Sequence, residues 1–547
     1  MDVVRELETP VLIVGGGPVG LAAALELAYH GVRSTLVERS AAVSVEPLAK
    51  AGTLSARTLE FCRRWGIADQ VSNWGADPDF PRDSCYVTAL NGGHLLARDA
   101  LAPASQRHDQ ASPEMLRKCP QHVFDPILVR AIEAAGRSDL RYGTEVRGLS
   151  QDDDGVSVHL VDLARRRSQT IRADYVLACD GAASTVRGQL GIGFDGPTLD
   201  YSISALIRIV NLDRYHSLGR ASRYLFIGPD GTWANLTSID YGDLWRFTLL
   251  GLPADQSPER IDLSEKIAVA FGRDDVPLQL MRPVHWRRSR CTASSYRSGR
   301  VFLAGDSAHT MSPTGGHGLN TGLGDVVGLV WMLAANLQGW AGTRLLEAYE
   351  VERRPVALRN GESASRNFAV WQGEGLNLSH VLDHGPAADA ERTIAGRAMI
   401  ERLREEWHPD GVRMGYRYEG SPLIVPDGTP EPADTLVDYH PTARPGHRAP
   451  HAWIGPGQSV IDLFGPGFTL LKLGPAPPDS TNLEQAARQC GVPLTGSRIS
   501  GDEIAALYER ALVLVRPDGH VAWRSDLAPD PAQARQIIAQ VRGDLPP

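Results

Sequence analysis

Gly15-Gly16-Gly17-Pro18-Val19-Gly20 stands between the apolar run VLIV (residues 11–14) and an apolar-rich stretch at residues 21–29. This order predicts a buried strand, a glycine turn and a helix. A second apolar run, STLV (residues 34–37), ends at Glu38, where a carboxylate can accept hydrogen bonds from both ribose hydroxyls of an adenosine. The stretch therefore predicts a βαβ unit that binds a dinucleotide, without distinguishing FAD from NAD(P).

The three spaced glycines have separate predicted roles. Gly15 allows the tight turn, Gly17 lets the backbone approach a pyrophosphate, and Gly20 lets the helix pack close to the strand. The start of the helix adds unpaired N–H groups and a partial positive charge. A glycine turn without a ligand is the alternative interpretation, and the flanking strand, helix and acidic strand end disfavour it.

Length and composition limit the classes of protein to consider. The chain has 547 residues, enough for two to four domains, with 42% hydrophobic and 22% charged residues. A net charge of −9 disfavours nucleic-acid binding. The apolar segment at residues 326–337 is too short to span a bilayer and no signal peptide is evident, so we expect a cytoplasmic protein without membrane contact. The cysteines are scattered without metal-like spacing, which predicts no metal site.

Two later predicted strands end in polar residues, at the edge where an open α/β sheet binds ligands. Residues 173–179 lead into Asp180-Gly181, and Arg187 follows at a distance that would let it face a phosphate. Residues 301–305 lead into Asp306, which is placed to receive a ribityl hydroxyl. The glycine-rich residues 312–320 then predict close backbone contact with a planar ring, next to the start of an apolar helix.

Several positions allow two interpretations. Lys50 reaches a phosphate or is an ordinary solvated lysine, and Gln121 bonds a cofactor or satisfies loop backbone. We expect a helix capped by Asp125 with Pro126 in its first turn. Residues 141–149 are expected to form one strand, and the charged run at residues 349–355 to mark a solvated face and a helix end.

Residues 201–209, 223–227, 232–239 and 245–250 predict an antiparallel sheet layer. Its polar and aromatic side chains form a candidate substrate pocket, although aromatic packing with exposed charges is the simpler interpretation for any single one. The candidates are Arg223, Tyr224, Trp233, Asn235, Tyr241 and Arg246. Beyond about residue 450 a mixed α/β unit resembles a thioredoxin-like fold without a CxxC pair, which predicts packing or oligomerisation rather than disulfide exchange.

Taken together, these motifs resemble the class A flavoprotein aromatic monooxygenases, in the branch of phenol and 2,4-dichlorophenol hydroxylases. The resemblance rests on residues 15–20 with Glu38, on Asp180-Gly181 with Arg187, and on residues 305–320. PGHRAPH (residues 445–451) and RPDG (residues 516–519) extend it into the C-terminal part.

The resemblance implies an α/β fold with a Rossmann-like FAD-binding domain of the GR2/hydroxylase type, an antiparallel β-sheet substrate domain and a C-terminal thioredoxin-like domain. We expect FAD-binding segments at residues 1–75, 116–190 and 286–360, separated by substrate-domain segments at residues 76–115 and 191–285. A helical segment and linker follow at residues 361–450, and the thioredoxin-like domain at residues 451–547.

It also implies roles for individual residues. For non-covalent FAD these are Gly15, Gly17 and Gly20 at the pyrophosphate, Glu38 at the ribose, Arg39 at the adenine, Lys50 at a phosphate, Gln121 at the middle of the cofactor, Asp306 at the ribityl chain, and Pro313, Gly318, Leu319 and Asn320 around the isoalloxazine. Asp180 and Arg187 would serve FAD and a passing nicotinamide nucleotide. Pro313 and Gly318 are also the expected catalytic positions, with Tyr224 and Arg246 as further candidates.

The implied reaction consumes O2 and NADPH, with NADH possible, and hydroxylates a small phenol-like aromatic through a flavin C4a-hydroperoxide. The absence of an evident carboxylate clamp favours a natural-product hydroxyaromatic, with a hydroxypyridine as another option. Many relatives have Arg where Lys50 stands and Asp near Ala51, so the general base stays unassigned between a Tyr or His of the sheet and an already acidic substrate. Baeyer–Villiger oxidation or epoxidation of a polyketide, and a non-catalytic flavin-binding protein, remain alternatives. We also expect a homo-oligomer.

Overall fold

The strands of this chain build three main sheets. The computed structural model describes residues 7–47, 50, 52–101 and 111–544. The strands are, in chain order, β1 Leu7–Val14, β2 Ser34–Glu38, β3 Thr53–Leu54, β4 Ser84–Val87, β5 Leu95–Asp99, β6 Arg117–Lys118, β7 Ser138–Tyr142, β8 Thr144–Gln151, β9 Val156–Asp162, β10 Arg167–Ala178, β11 Phe194–Asp195, β12 Thr198–Arg208, β13 Arg223–Gly228, β14 Gly231–Ser238, β15 Leu244–Leu252, β16 Gln279–Leu280, β17 Val284–Ser289, β18 Cys291–Ala293, β19 Arg297–Ser298, β20 Val301–Leu303, β21 His309–Thr310, β22 Trp453–Gly455, β23 Gln458–Ser459, β24 Phe468–Leu473, β25 Leu494–Ile499, β26 Leu512–Val515 and β27 Val521–Ser525.

Helices cover the sheets and connect them. They are α1 Pro18–Tyr29, α2 Ala56–Arg64, α3 Ala68–Ser72, α4 Gln121–Ala135, α5 Thr185–Gln189, α6 Leu263–Phe271, α7 Gly318–Leu337, α8 Ala348–Trp371, α9 Pro386–Arg402, α10 Arg404–Trp407, α11 Asp410–Met414, α12 Thr481–Gln489, α13 Asp502–Tyr508 and α14 Pro531–Val541.

The first sheet has β1 at its centre. Its order is β19-β20-β10-β1-β2-β7, and β1 pairs in parallel with both β2 and β10. Strands buried on both faces carry continuous apolar runs, which is why residues 11–14 are all apolar and inaccessible. The parallel register brings the carboxyl ends of β1, β2, β10 and β20 to one edge. The glycine turn, Glu38, Asp180 and Asp306 therefore share that edge.

The second sheet is largely antiparallel, in the order β16-β12-β15-β14-β13-β4-β5, with β17 also paired to β12. Side chains alternate between its faces. One face is apolar and packs against α6, whereas the other carries a polar strip and also contacts α8 and α9. This two-faced sheet is the antiparallel layer that the sequence predicts.

The C-terminal sheet has the order β25-β24-β26-β27. β24 is parallel to β25 and antiparallel to β26, which is antiparallel to β27. Helix α12 follows β24, α13 follows β25 and α14 follows β27. The unit packs against the FAD-type domain through Phe468, which meets Trp331 and Trp340 at 5.9 and 6.3 Å between ring centroids.

Two helix predictions are wrong. Helix α4 begins at Gln121, not after an Asp125 cap, because the Pro120 carbonyl accepts bonds from the N–H groups of Val123 and Phe124 and starts the helix there. Helix α8 does not end near residue 355 but continues through Pro355 to Trp371. Its charged run is not a solvated face either, since Glu352 and Arg353 are buried in ion pairs.

Two smaller predictions also change. Gly143, with φ of +65°, divides the expected strand at residues 141–149 into the end of β7 and the start of β8. The apolar segment at residues 326–337 belongs to α7, a helix of 20 residues that is long and apolar enough to cross a membrane by length and composition alone. In this structure 83% of its most apolar window is buried, so it packs as a core helix.

Candidate active site

The glycine turn after β1 is crowded everywhere except at Gly17. A Cβ on Gly15, whose φ is +107°, would lie 2.4 Å from the Cys179 carbonyl oxygen, and one on Gly20 would lie 2.0 Å from the Gly15 oxygen. A Cβ on Gly17 would meet no protein atom within 4 Å. The backbone at Gly17 therefore borders an open cradle at the start of α1, where anions are favoured.

Glu38 closes this cradle at the end of β2. Its Oε2 accepts a hydrogen bond of 2.7 Å from the Gly16 N–H, and its Oε1 accepts one of 2.7 Å from Ser40. Burial opposes ionisation, but the backbone donors, together with the charge of Arg39, hold the pKa of Glu38 below its ordinary value. A carboxylate thus stands at this strand end, with exposed Arg39 beside it.

The turn after β20 packs against the glycine turn. A Cβ on Gly305 would lie 2.9 Å from Val19, and one on Gly322 of α7 would lie 2.9 Å from the Gly305 Cα. Asp306 is exposed at this junction. The dense packing around it raises the pKa of its carboxyl, against the opposing charges of His309 and Lys50.

The buried Asp325 of α7 holds the turn after β20 in place through hydrogen bonds. Its Oδ2 accepts hydrogen bonds from the Gly305 N–H at 3.1 Å and His309 Nε2 at 2.7 Å, while Oδ1 accepts one from Arg353 Nε at 2.9 Å. Despite complete burial, His309 and Arg353 hold the pKa of Asp325 below its ordinary value. Sequence reasoning missed Asp325, although a lone acidic residue within an apolar helix is a usable signal.

The side chains of Asp180 and Arg187 lie near each other, but both form their hydrogen bonds with other protein groups. The Asp180 carboxylate accepts from the Ser184 hydroxyl at 2.6 Å and the Val186 N–H at 3.1 Å. The Arg187 guanidinium donates to the Ser307 carbonyl at 2.8 Å and lies 3.7 Å from the Phe194 ring centroid. The pair therefore holds the turn after β10 against the Asp306 turn, which differs from the expected phosphate-facing arginine.

Gln121 and Lys50 flank a buried carboxyl. Gln121 Nε2 donates to Asp125 Oδ2 at 3.0 Å. Burial raises the pKa of Asp125 to about 7, while Gln121 and Lys50 act in the opposite direction. Lys50 itself is exposed, and its carbonyl accepts a bond of 3.4 Å from Arg246 Nη1. Ala51, the position where related phenol hydroxylases are expected to have Asp, lies outside the described residues.

The loop between β21 and α7 carries the expected ring-flanking residues. Pro313 is exposed, and Gly318 and Leu319 open α7. The Asn320 side chain is fully used within the protein. Its amide nitrogen donates to the carbonyls of Thr53 and Gly316 at 3.0 and 2.7 Å, and its oxygen accepts from Ser55 N and Thr58 Oγ1. Asn320 therefore links residues 53–58, which follow Lys50, to the glycine-rich loop before α7.

Tyr224 is not brought to this site. Strand alternation places it on the apolar face of the second sheet, where it is 1% exposed and its hydroxyl donates to the Gly219 carbonyl at 3.0 Å. Trp233 packs against Phe226 with a centroid distance of 5.9 Å, and Tyr241 stacks on Phe80 at 5.1 Å. These contacts agree with the packing interpretation of the three aromatic candidates.

Arg223, Asn235 and Arg246 lie on the opposite, polar face of the sheet. Hydrogen bonds line this face, including those from Trp286 Nε1 to Ser204 Oγ at 2.9 Å and between Ser204 Oγ and Thr248 Oγ1 at 2.8 Å. The Arg246 contact with the Lys50 carbonyl joins the polar face to the loop beside the cradle. The polar face of the sheet thus contacts the loop that lies beside the cradle.

Comparison with known protein families identifies the family to which this chain belongs. Residues 8–364 match the FAD binding domain family, and residues 442–544 match the C-terminal domain of aromatic-ring hydroxylases. The chain belongs to the class A flavoprotein aromatic monooxygenases. This FAD-dependent monooxygenase has a mixed α/β flavin hydroxylase fold, as the sequence resemblance predicts.

Two of its relatives are named as monooxygenases of substituted aromatics. The monooxygenase is 33% identical to 4-methyl-5-nitrocatechol 5-monooxygenase of Burkholderia sp, over 97% of this chain and 96% of that protein. It is 30% identical to 2,4-dichlorophenol 6-monooxygenase of Cupriavidus pinatubonensis, over 98% and 96%. The solved structure of RebC with bound 7-carboxy-K252c is similar at 36% identity and a TM-score of 0.90, covering 99% of this chain and 100% of that one.

The residues of the cradle fit FAD. Gly17 leaves open space at a helix start for a pyrophosphate, and Glu38 presents an ionised carboxylate at the neighbouring strand end. Across residues 7–47, 50, 52–101 and 111–544, no group of His, Cys, Asp and Glu side chains is arranged to hold a metal ion.

Proposed function

We propose that this monooxygenase hydroxylates the ring of a phenol-like aromatic of natural-product size, with NADPH as its preferred reductant. The observation that supports this most is the polar face of the second sheet, which the Arg246 contact joins to the Lys50 loop beside the FAD cradle. The similarity to RebC, a biosynthetic enzyme whose solved structure holds 7-carboxy-K252c, supports a natural-product substrate. No particular contact favours Baeyer–Villiger oxidation or epoxidation.

FAD, when bound, supplies the redox chemistry by accepting a hydride and activating O2 for transfer of one oxygen atom. We assign its pyrophosphate to Gly15, Gly17 and Gly20 and its adenosine ribose to Glu38, next to Arg39. Asp306 holds the ribityl chain, and Gln121 contacts the middle of the cofactor. Pro313, Gly318 and Leu319 border the ring, while Asn320, Asp180 and Arg187 position the surrounding loops through the bonds described above.

The protein's own part in the reaction is to orient the aromatic ring and exclude water. Thr248, Ser204 and Trp286 provide a fixed hydrogen-bonded strip on the sheet face. His317, next to Gly318, stays neutral, because burial and the nearby charges of Arg413 and Arg359 lower its pKa to about 3. A neutral imidazole there avoids placing a further positive charge beside the ring-binding loop.

The C-terminal unit completes the proposed domain organisation. The order β25-β24-β26-β27, with β24 and β25 parallel and the other pairs antiparallel, supports a thioredoxin-like fold. We retain the FAD-binding segments at residues 1–75, 116–190 and 286–360 and a thioredoxin-like domain from residue 451. This domain has a packing role, and the enzyme is a homo-oligomer.

The test is NADPH oxidation in air by the purified yellow protein, with product masses measured in parallel. The panel contains simple phenols, multi-ring hydroxyaromatics and cyclic ketones. Faster NADPH loss with one oxygen added to an aromatic ring supports the proposal. Oxygen insertion into ketones alone, or no acceleration by any member while the protein retains FAD, contradicts it.

A further inference from the structure

Gly315 has a backbone conformation that favours glycine strongly. It lies in the loop at residues 312–320, between β21 and α7, and its φ is +86°. A Cβ at this position would lie 2.3 Å from Nε2 of His317. Glycine adopts such a conformation at no steric cost, but it loses more conformational entropy on ordering than any other residue. A loop that contains it therefore keeps one shape only if other groups hold its backbone.

Both polar backbone groups of Gly315 face side chains from a later part of the chain. Arg413 of α11 donates from Nη2 to the Gly315 carbonyl oxygen at 3.1 Å, across 98 positions of sequence. The Gly315 N–H acts as a hydrogen-bond donor toward the carboxyl of Glu406 in α10. The sequence predicts only a helical segment and linker at residues 361–450. Neither contact is therefore evident from local sequence patterns.

Glu406 is buried and oriented by its own contacts. Its side chain is 1% exposed, and its Oε2 accepts a hydrogen bond of 2.7 Å from Trp371 Nε1 of α8. Its Oε1 lies 3.5 Å from Nη1 of Arg223. Burial raises the pKa of Glu406 to about 7, while Arg223 and the hydrogen-bond donors around the carboxyl act in the opposite direction. The carboxyl that faces the Gly315 N–H thus has a fixed orientation.

Arg413 is placed by a short helix that α8 holds. Arg359 of α8 donates to the Gly411 carbonyl of α11 at 3.1 Å and pairs with Asp434 at 2.7 Å. The Arg413 charge also acts on the loop itself. After burial, which is the larger cause, it helps to lower the pKa of His317 and keeps that imidazole neutral. Arg413 thus affects both the backbone and the electrostatics of the loop.

The residues before Gly315 are held by other elements. Ser312 accepts a hydrogen bond of 3.0 Å from Arg288 Nη1 of β17. The Thr314 hydroxyl donates to the Ala364 carbonyl of α8 at 2.6 Å. The second sheet and α8 therefore fix the start of the loop, whereas α10 and α11 hold it at Gly315. A loop anchored in this way has its shape set by distant segments rather than by its own sequence.

We propose that Arg413 and Glu406 are positioning residues for the flavin ring, because they hold the two polar backbone groups of Gly315 and so fix the loop that borders the ring. Each acts through Gly315 rather than on the reacting atoms. The inference rests on the proposed function for the place of the ring beside Pro313 and Gly318, and it adds a role for α10 and α11. Orienting a bound cofactor and setting the polarity around it are the protein's part in flavin chemistry.

Substitutions of similar length separate these contacts from general stability. Arg413→Met removes the donor and Glu406→Met removes the acceptor, whereas Arg413→Lys and Glu406→Gln each retain one. Arg404→Met and Glu405→Gln serve as controls on α10, since Arg404 is exposed and Glu405 pairs with Arg366 at 2.6 Å. All variants are compared with the wild type as purified holoenzymes.

Amide hydrogen exchange measures the hold on the loop directly. Peptides that cover residues 312–320 are followed by mass spectrometry. We expect this loop to exchange about 10-fold faster in Arg413→Met and in Glu406→Met than in the wild type, because one hydrogen bond to a charged group is lost in each. Both control variants should exchange at the wild-type rate. An unchanged rate in both methionine variants overturns the proposal.

The bound flavin reports whether the loop positions the ring. In Arg413→Met and Glu406→Met we expect a displaced visible absorbance maximum and an FAD dissociation constant raised about 10-fold. Glu406→Gln should resemble the wild type. Arg413→Lys should show the same changes at smaller size, and it carries the test if Arg413→Met does not fold. A lower melting temperature with unaltered flavin absorbance and FAD affinity indicates a purely structural role and overturns the proposal.

The proposed function is tested separately from this inference. If the variants change loop exchange and flavin absorbance as expected, but no aromatic compound is oxygenated in the NADPH assay, the inference is supported and the proposed function is overturned. Oxygenation of an aromatic ring by the wild type, with unaltered flavin properties in every variant, gives the reverse result. The two failures are therefore distinguishable.

Discussion

Glu352 and Arg516 form a two-point ion pair between helix α8 and the C-terminal unit, with Nη1–Oε1 and Nη2–Oε2 distances of 2.6 and 2.8 Å. Both side chains are fully buried. Glu352 also accepts a bond from the Ser421 hydroxyl, and Arg516 contacts Asp518 at 2.7 Å. The long α8 helix thus carries a charged anchor between the domain that holds the cofactor and the C-terminal sheet.

Replacing this glutamate should be costly. Glu352→Gln leaves the Arg516 guanidinium buried with Asp518 as its one ionic partner among the described residues, and we expect a loss of about 3 kcal/mol in unfolding free energy. Urea denaturation followed by circular dichroism measures it. Glu347→Gln, in an exposed pair with Arg344, should change stability by about 1 kcal/mol or less. Equal effects of the two substitutions would contradict the anchoring role.

Asp306 should govern retention of FAD. Asp306→Ala removes the exposed carboxyl at the junction of α1, α7 and the turn after β20. We expect the FAD dissociation constant to rise about 10- to 100-fold, the usual effect of losing a hydrogen bond to a charged group. Flavin fluorescence during dilution measures it, with the exposed Asp274→Ala as control. A variant that purifies fully yellow and holds FAD as tightly as the wild type would refute the assignment.

Asp125 should make stability depend on pH. Burial raises its pKa to about 7, whereas an unfolded chain has a value of about 4. Because the folded form keeps its proton over that interval, the contribution of Asp125 to stability falls as the pH rises from about 4 to about 7 and is constant above that. Asp125→Asn should match the wild type near pH 4 and exceed it near pH 8 by up to about 4 kcal/mol. Unfolding titrations at both pH values check this, and a pH-independent difference would contradict it.

Tyr224 should be dispensable for turnover. Its hydroxyl donates to the Gly219 carbonyl on the apolar face of the sheet, opposite the polar face that carries Arg246. Tyr224→Phe should therefore cost about 1 kcal/mol of stability and leave kcat and KM within about twofold of the wild type. Steady-state NADPH oxidation with the accepted substrate measures this. A large loss of kcat would return Tyr224 to the list of catalytic candidates.

The sequence predicted the cofactor cradle well because its parts are local. Glycine spacing, the apolar runs around it and the acidic strand end lie within residues 11–38, and each has one physical purpose in a βαβ unit. The family resemblance and the FAD-dependent ring-hydroxylating activity that it implied are confirmed by the domain matches. The individual cofactor contacts remain predictions.

Long-range pairing explains the errors. The continuation of α8 past Pro355 depends on Arg353 meeting Asp325 and Glu352 meeting Arg516, partners 28 and 164 residues away. Likewise, whether Tyr224 or Arg223 faces the site depends on the face that each β13 residue takes, and a one-residue change of register would exchange them. Composition and spacing carry no information on either point.

The ion pair between Glu352 of α8 and Arg516 also determines whether a truncated form of this chain can fold. Arg448 pairs with Glu60 of α2, and both side chains are buried. A protein ending before residue 442 would lack Arg448 and Arg516, so that, among the described residues, Glu352 would keep the Ser421 hydroxyl and Glu60 would keep Arg57 and Ser112 as partners. It would also uncover Trp331 and Trp340 where Phe468 now packs. The C-terminal unit is therefore not a detachable appendage: we expect both parts to melt in one cooperative transition and premature truncation to yield an aggregating polypeptide rather than a smaller oxygenase.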